Sequence, residues 1–183
     1  RMLIETDTVT FTSGLRHGET LGSPLTMVVK NDDFKNWQTV MGIEPVDERA
    51  KLKRRVSKPR PGHADLVGGI KYQHDDLRNV LERSSARETT MRVAIGAVCK
   101  RLLKELGVEL AGHVLEIGGV KGTVPDKMTV AEIRERAEAS AVRCVDPAIE
   151  PLMKQKIDET KKAGNTIGGV VEVVVEGVPV GLG

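Results

Sequence analysis

The residues best suited to chemistry cluster in ERSSARETT, at positions 82–90. Arg83 and Arg87 flank Ser84 and Ser85, and an apolar-periodic run follows. Ser85 and Glu88 form an S-x-x-E pattern, which predicts Ser85 as a helix N-cap. Free backbone N–H groups at such a helix start, with the positive end of its dipole, favour anions. Arginine adds a forked donor that matches carboxylate or phosphate oxygens. Two readings fit the pattern: a cradle for a phosphate or carboxylate, and an ordinary capped helix whose arginines face water.

A second constellation is KPRPGHAD at 58–65. Pro59 and Pro61 stiffen the backbone around Arg60, and Gly62 permits unusual backbone angles just before His63. An imidazole titrates near neutrality and can give or take a proton. Beside a bound phosphate, His63 could act as a general acid. The competing reading is a turn histidine held by Asp65. His17, in SGLRHGET, reads as a turn histidine, and His74 and His113 read as structural. No P-loop, nucleophile elbow, HExxH or clustered Cys/His pattern occurs. No metal site is therefore expected.

The elements that must carry these residues follow from periodicity. Short strands are expected over 3–30, with a turn at Ser13-Gly14. Residues 31–62 are loop-rich, and 42–62 is expected to be mobile. The run KLKRR at 51–55 reads either as a solvated face or as a nucleic-acid patch. Met91, Ile95, Val98, Leu102 and Leu106 recur at helical spacing and predict a helix over 86–106, stopped by Gly107. Cys99 falls in its apolar part and is expected to be buried. Residues 108–120 read as one strand. Thr129-x-x-Glu132 predicts a helix to about Ser140, and Asp146-Pro147 a third helix with proline at its first position. That helix should bury Ile149, Leu152 or Met153, and Ile157, and stop at Gly164. GGVVEVVVEGVPVG gives the strongest strand. The order of elements predicts an α+β fold with antiparallel sheet.

The totals exclude several classes. The chain has 183 residues, with 39% apolar and 30% charged residues, a composition of soluble globular proteins. Its net charge is +2 and aromatics are only 2%, namely Phe11, Phe34, Trp37 and Tyr72. Neither supports nucleic-acid binding, which leans on strong basic charge or aromatic stacking. The core must consist of Val, Leu, Ile and Ala. No apolar run approaches the length of a membrane span and no secretory signal is present. Two cysteines without metal spacing fit a reducing, cytoplasmic setting. The chain opens on Arg1 and closes just after a strong strand, as expected of a segment of a longer protein.

Taken together, these stretches resemble chorismate synthases. ERSSARETTMRVAIGAV at 82–98 is similar to a signature of that family along its full length. RPGHADLVGGIKY at 60–72, SGLRHGETLGSP and GGVVEVVVEGVPVGLG are further family-typical stretches, in the family's order. The resemblance covers the whole chain as a single partial domain, 1–183, about half of a family member. The N-terminal segment with a second catalytic histidine and the C-terminal half with a catalytic aspartate are absent from it. His17 stands in a different context and is not that missing histidine.

The resemblance implies a lyase that converts 5-enolpyruvylshikimate-3-phosphate to chorismate and phosphate, a 1,4-elimination requiring reduced FMN. Some members reduce the flavin with NADPH. It implies that Arg83, Ser84 and Ser85 contact FMN, that Arg1, Arg60 and Arg87 bind substrate anions, and that His63 is an acid near the flavin. It also implies a β-α-β sandwich with antiparallel sheets and a homotetramer. A lone half should expose apolar surface and associate or dissolve poorly. The alternative is a non-catalytic anion-binding or assembly module that is inactive alone.

Overall fold

The computed structural model describes residues 7–182, with Ala50 and Lys51 described by backbone alone. Of these, residues 7–97 and residues 98–182 form two compact units.

The first unit begins with β1 (Val9–Ser13), β2 (Leu15–Arg16), β3 (Glu19–Thr20) and β4 (Thr26–Val29). β1 pairs antiparallel with β4, setting Val9 opposite Val29 and Phe11 opposite Met27. β2 and β3 form a tight hairpin whose turn residues His17 and Gly18 both have positive φ, 53° and 83°. Mirror-image turns of this kind match strand twist. His17 is thus the turn histidine its context predicts. Gly14 also has positive φ, and a Cβ there would lie 2.6 Å from the Pro24 carbonyl oxygen.

Residues 31–62 contain more order than their composition suggests. A 3-10 turn spans Asp32–Asn36, followed by α1 (Gln38–Met41) and α2 (Glu48–Leu52). The guanidinium groups of Arg54 and Arg78 lie 4.3 and 4.8 Å from the Trp37 ring centroid. Arg78 also donates to the Arg54 carbonyl, and Val56 N–H donates to Asp76 Oδ1. These bonds anchor residues 54–56.

Two helices absent from the sequence reading follow: α3 (Asp65–Tyr72) and α4 (Arg78–Leu81). Gly68 and Gly69 hide α3 from a propensity reading. The structure gives their reason. A Cβ on Gly68 would overlap Val80 Cγ1 and lie 3.0 Å from Val80 Cγ2, and one on Gly69 would lie 2.6 Å from Leu77 Cδ2. The bare face of α3 lets Leu77 and Val80, 7% and 5% exposed, pack against backbone.

α5 (Ala86–Glu105) matches the predicted helix, but its apolar stripe is uncovered. Met91, Ile95, Leu102 and Leu106 are exposed, and only Ala94 is buried. Cys99 is exposed for the same reason, which corrects the expectation of a buried thiol.

The second unit is built on β5 (Glu109–Ile117), β6 (Val120–Lys121) and β7 (Gly169–Glu176), in the order β6-β5-β7, all antiparallel. The single strand expected over 108–120 is a hairpin. Gly118 and Gly119, both at positive φ, turn the chain back. α6 (Val130–Ala139) starts with the predicted capping box, Thr129 and Glu132 bonding reciprocally. α7 (Glu150–Lys162) starts later than expected. Asp146 accepts from Ala148 N–H at 3.0 Å and closes a separate turn, so Pro151, not Pro147, lies in the first helical turn. Met153 is fully buried, whereas Leu152 is exposed.

One sheet face presents Ala111 and Val174 to Val130, Ile133, Ala137 and Val145, which form the core. His113 sits on this face, 2% exposed, and its Nε2–H donates to Glu172 at 2.9 Å. The opposite face of β7 leaves Val171, Val173 and Val175 exposed. The α+β class with antiparallel sheets is as expected.

Candidate functional site

The sequence-predicted residues fall in two places in the first unit. The first is the turn before α3. Gly62 has φ of 69° and nothing within 4 Å of an added Cβ, so the backbone reverses there without crowding. The reversal brings Arg60, His63 and Asp65 together. Asp65, the first residue of α3, is 0% exposed. Its Oδ2 accepts from Arg60 N–H at 3.0 Å and Arg60 Nε at 2.9 Å. Its Oδ1 accepts from Arg60 Nη2 at 3.2 Å and from His63 Nδ1 at 2.5 Å. The hydrogen bond from the Arg60 side chain is the main reason Asp65 is held well below the usual carboxylate range, and the same pairing raises Arg60. Asp65, read from sequence only as a neighbour of His63, is the hub of the cluster. Arg60, expected to bind substrate, is half spent on that hub.

The second place is the turn into α5. Ser85 has φ of 59°, a left-handed conformation instead of the extended backbone of an N-cap, and the Glu88 carboxylate pairs with Arg92. The predicted Ser85–Glu88 capping box therefore does not form. The Ser85 carbonyl still accepts the first helical bond, from Thr89 N–H. The Ser84 hydroxyl donates to the Val80 carbonyl at 3.0 Å, and Arg87 pairs with Glu82. Arg83 has no carboxylate partner among the described residues; its guanidinium carbon lies 5.9 Å from the Tyr72 ring centroid. Arg83 is thus the cation of this turn left uncommitted by its surroundings. Arg1 lies outside the described residues.

A cavity of about 740 Å³ opens between α3 and the arginine turn. Ala64, Val67, Gly68 and Tyr72 line it from α3 and its flanks, and Val80, Arg83, Ser84 and Glu88 from the other side. Ala64 is where the histidine turn reaches it; Arg60, His63 and Asp65 do not line it. A second cavity of about 530 Å³ is lined by Arg83 and Arg87 together with Lys30, Asn31 and Glu82. Both fall within the roughly 300–1,000 Å³ of small-molecule sites. The larger one has an apolar wall of Val67, Gly68 and Val80, an aromatic ring and a free guanidinium. That donor set suits a flat, partly apolar ring system bearing an anionic group. Sequence reasoning missed Tyr72 and Glu82. Glu82 stands five residues before Arg87, which is no helical pairing distance, so nothing in the pattern marks it. Among the described residues, no group of three or more His, Cys, Asp or Glu could hold a metal ion.

The comparisons agree along the whole length. The family model described as chorismate synthase matches residues 1–183. The chorismate synthase of Enterococcus faecalis is 68% identical over 183 residues, covering 100% of this chain and 47% of that protein. That of Listeria welshimeri is 64% identical with the same coverage. A solved structure titled "Crystal Structure of Chorismate Synthase" superimposes with a TM-score of 0.73 at 37% identity, over 94% of this chain and 46% of that one. The chain spans about half the length of the curated relatives it matches. Sequence, fold and family model lead to one conclusion: the chain belongs to the chorismate synthase family.

Proposed function

We propose that this chain forms the flavin-side half of a lyase that converts 5-enolpyruvylshikimate-3-phosphate to chorismate and phosphate. The observation that carries the reading is the cavity on which α3 and the Arg83-Ser84 turn converge. In the reaction the carbon–oxygen bond to phosphate breaks, a ring proton leaves, and the electrons of the C–H bond complete the diene. Reduced FMN, when bound, supplies electron density to the substrate without net redox change.

The chain's residues have distinct tasks. Arg83 offers the uncommitted cation, and Ser84 and Ser85 offer hydroxyl oxygens beside it. Val67, Gly68 and Val80 give an apolar wall that excludes water. Arg87 binds a substrate anion by exchanging it for Glu82, and Arg60 offers Nη1 while Nε and Nη2 stay on Asp65; Arg1 joins them. Cations placed where phosphate charge develops lower the barrier to its departure. His63 donates a proton beside the flavin site. NADPH serves as reductant in the enzymes of this family that reduce their own flavin. The exposed stripe of α5 and the bare face of β7 support assembly, with a homotetramer as the family state. Among the described residues no helix is long and apolar enough to cross a membrane; the cytoplasmic assignment rests on the family resemblance. Nucleic acid is not a partner on this reading.

The test is an anaerobic assay with reduced FMN and substrate, following phosphate and chorismate, on a polypeptide spanning the full length of the relatives. Turnover is expected there, with His63→Asn slower by about 10²–10³-fold. The 183-residue chain alone is expected to bind without turnover. Absence of chorismate from the full-length polypeptide, or full activity in His63→Asn, would contradict the reading.

A further inference from the structure

The His63 turn holds more structure than a lone proton donor needs. Asp65 is completely buried, and among the described residues its hydrogen-bonding side-chain partners are Arg60 and His63. An ionised carboxylate only accepts hydrogen bonds. The Arg60 donors at Oδ2 keep Asp65 ionised, so the ring nitrogen 2.5 Å from Oδ1 must carry a hydrogen. That nitrogen is Nδ1. In the neutral ring, Nε2 then holds the lone pair. Arg60 Nη2 lies 3.0 Å from Nδ1 and 3.2 Å from Nε2. Arginine cannot accept, and Nδ1 has no lone pair left, so of the two ring nitrogens only Nε2 can accept from Nη2. A proton reaches Nε2 once Nη2 turns aside, a movement open to a side chain that is 53% exposed.

We infer that Asp65 is a positioning residue that fixes His63 as the Nδ1–H tautomer, making Nε2 the nitrogen that takes up and delivers the proton. A carboxylate behind an imidazole selects its tautomer and orientation in this way. Arg60 completes the device by holding Oδ2 with its backbone N–H and Nε, while Oδ1 faces the ring and takes its shorter bond from Nδ1 and a longer one from Nη2. The inference about catalysis rests on the reading of His63 as a proton donor, whereas the tautomer itself does not.

The test is ¹⁵N NMR of the histidine-labelled chain, with the His63 signals assigned by their loss in His63→Gln. At a pH where the ring is neutral, the parent chain is expected to show His63 protonated on Nδ1. In Asp65→Asn, the Arg60 donors will hold the amide oxygen and turn the NH2 group toward the ring. Nδ1 must then accept, and the Nε2–H tautomer becomes the major form. In a polypeptide spanning the relatives' length, Asp65→Asn is expected to lower kcat about a hundredfold with little change in substrate KM. An Nε2–H tautomer in the parent chain, or an Nδ1–H tautomer retained in Asp65→Asn, would overturn the inference. If Asp65→Asn fails to fold, the parent spectrum alone decides. Full activity in His63→Asn would instead remove the catalytic reading and leave the tautomer assignment standing.

Discussion

Gly68 offers the sharpest test of how the site is built. In an exposed helix, Gly→Ala stabilises by about 1 kcal/mol. Gly68 should depart from that rule because the new methyl overlaps Val80 Cγ1. Overpacking of this kind costs about 1–3 kcal/mol. The balance for Gly68→Ala is thus a net loss of about 1 kcal/mol. Gly96, in α5, has nothing within 4 Å of an added Cβ, so Gly96→Ala should gain the full ~1 kcal/mol. The two variants should therefore differ by about 2 kcal/mol in urea unfolding, or roughly 1 M in midpoint for a slope near 2 kcal/mol/M. Val80→Ala removes the clashing methyls, so the pair Gly68→Ala/Val80→Ala should be more stable than additivity allows by about 0.5–1 kcal/mol. Because Gly68 and Val80 both line the larger cavity, Gly68→Ala should also weaken flavin binding. A Gly68→Ala protein stabilised as much as Gly96→Ala would refute the packing argument.

Three further outcomes follow from the structure. Thr129→Ala removes the hydroxyl half of the α6 capping box, leaving the backbone N–H of residue 129 on Glu132, and should cost about 1 kcal/mol in urea or thermal unfolding; a loss below about 0.3 kcal/mol would count against it. Asp65 has a lower pKa folded than unfolded, chiefly through Arg60, so its contribution to stability is complete above about pH 5 and declines as pH falls through about 4. Asp65→Asn should flatten that acid limb of the stability profile, and an unchanged limb would contradict the pairing. Brief proteolysis should cut first between residues 42 and 53, where Ile43 is 97% exposed, and spare 54–56, which Asp76, Leu77 and Arg78 hold. Early cuts after Arg54 or Arg55 would oppose that division.

What could be read from the sequence depended on whether local signals matched tertiary demands. α5 and α6 were legible because a 3.6-residue stripe and a capping box are local properties. β7 was legible because a run of valines between glycines has few alternatives. α3 was not, because Gly68 and Gly69 lower helix propensity for the sake of a contact with residues 77 and 80 that no local pattern announces. The Gly118-Gly119 turn was swallowed by the apolar residues on both sides of it. Cys99 was misplaced because periodicity identifies an apolar stripe without saying whether anything covers it. At the site, the types and order of Arg60, His63, Arg83 and Arg87 were legible. Their commitments were not: Asp65 takes up half of Arg60, Glu82 takes Arg87, and only Arg83 remains unpaired by a carboxylate.

The central claim is that the Arg83 turn and α3 together hold the flavin. Titration of FMN into the polypeptide that spans the relatives' full length, followed by flavin fluorescence, tests it directly. Arg83→Ala should weaken binding about 10–100-fold, the loss of one charge-assisted contact at about 1.5–3 kcal/mol, while Arg101→Ala, an exposed α5 residue paired with Glu105 and absent from the cavity lining, should bind as the parent does. Equal affinity in Arg83→Ala and the parent would contradict the account.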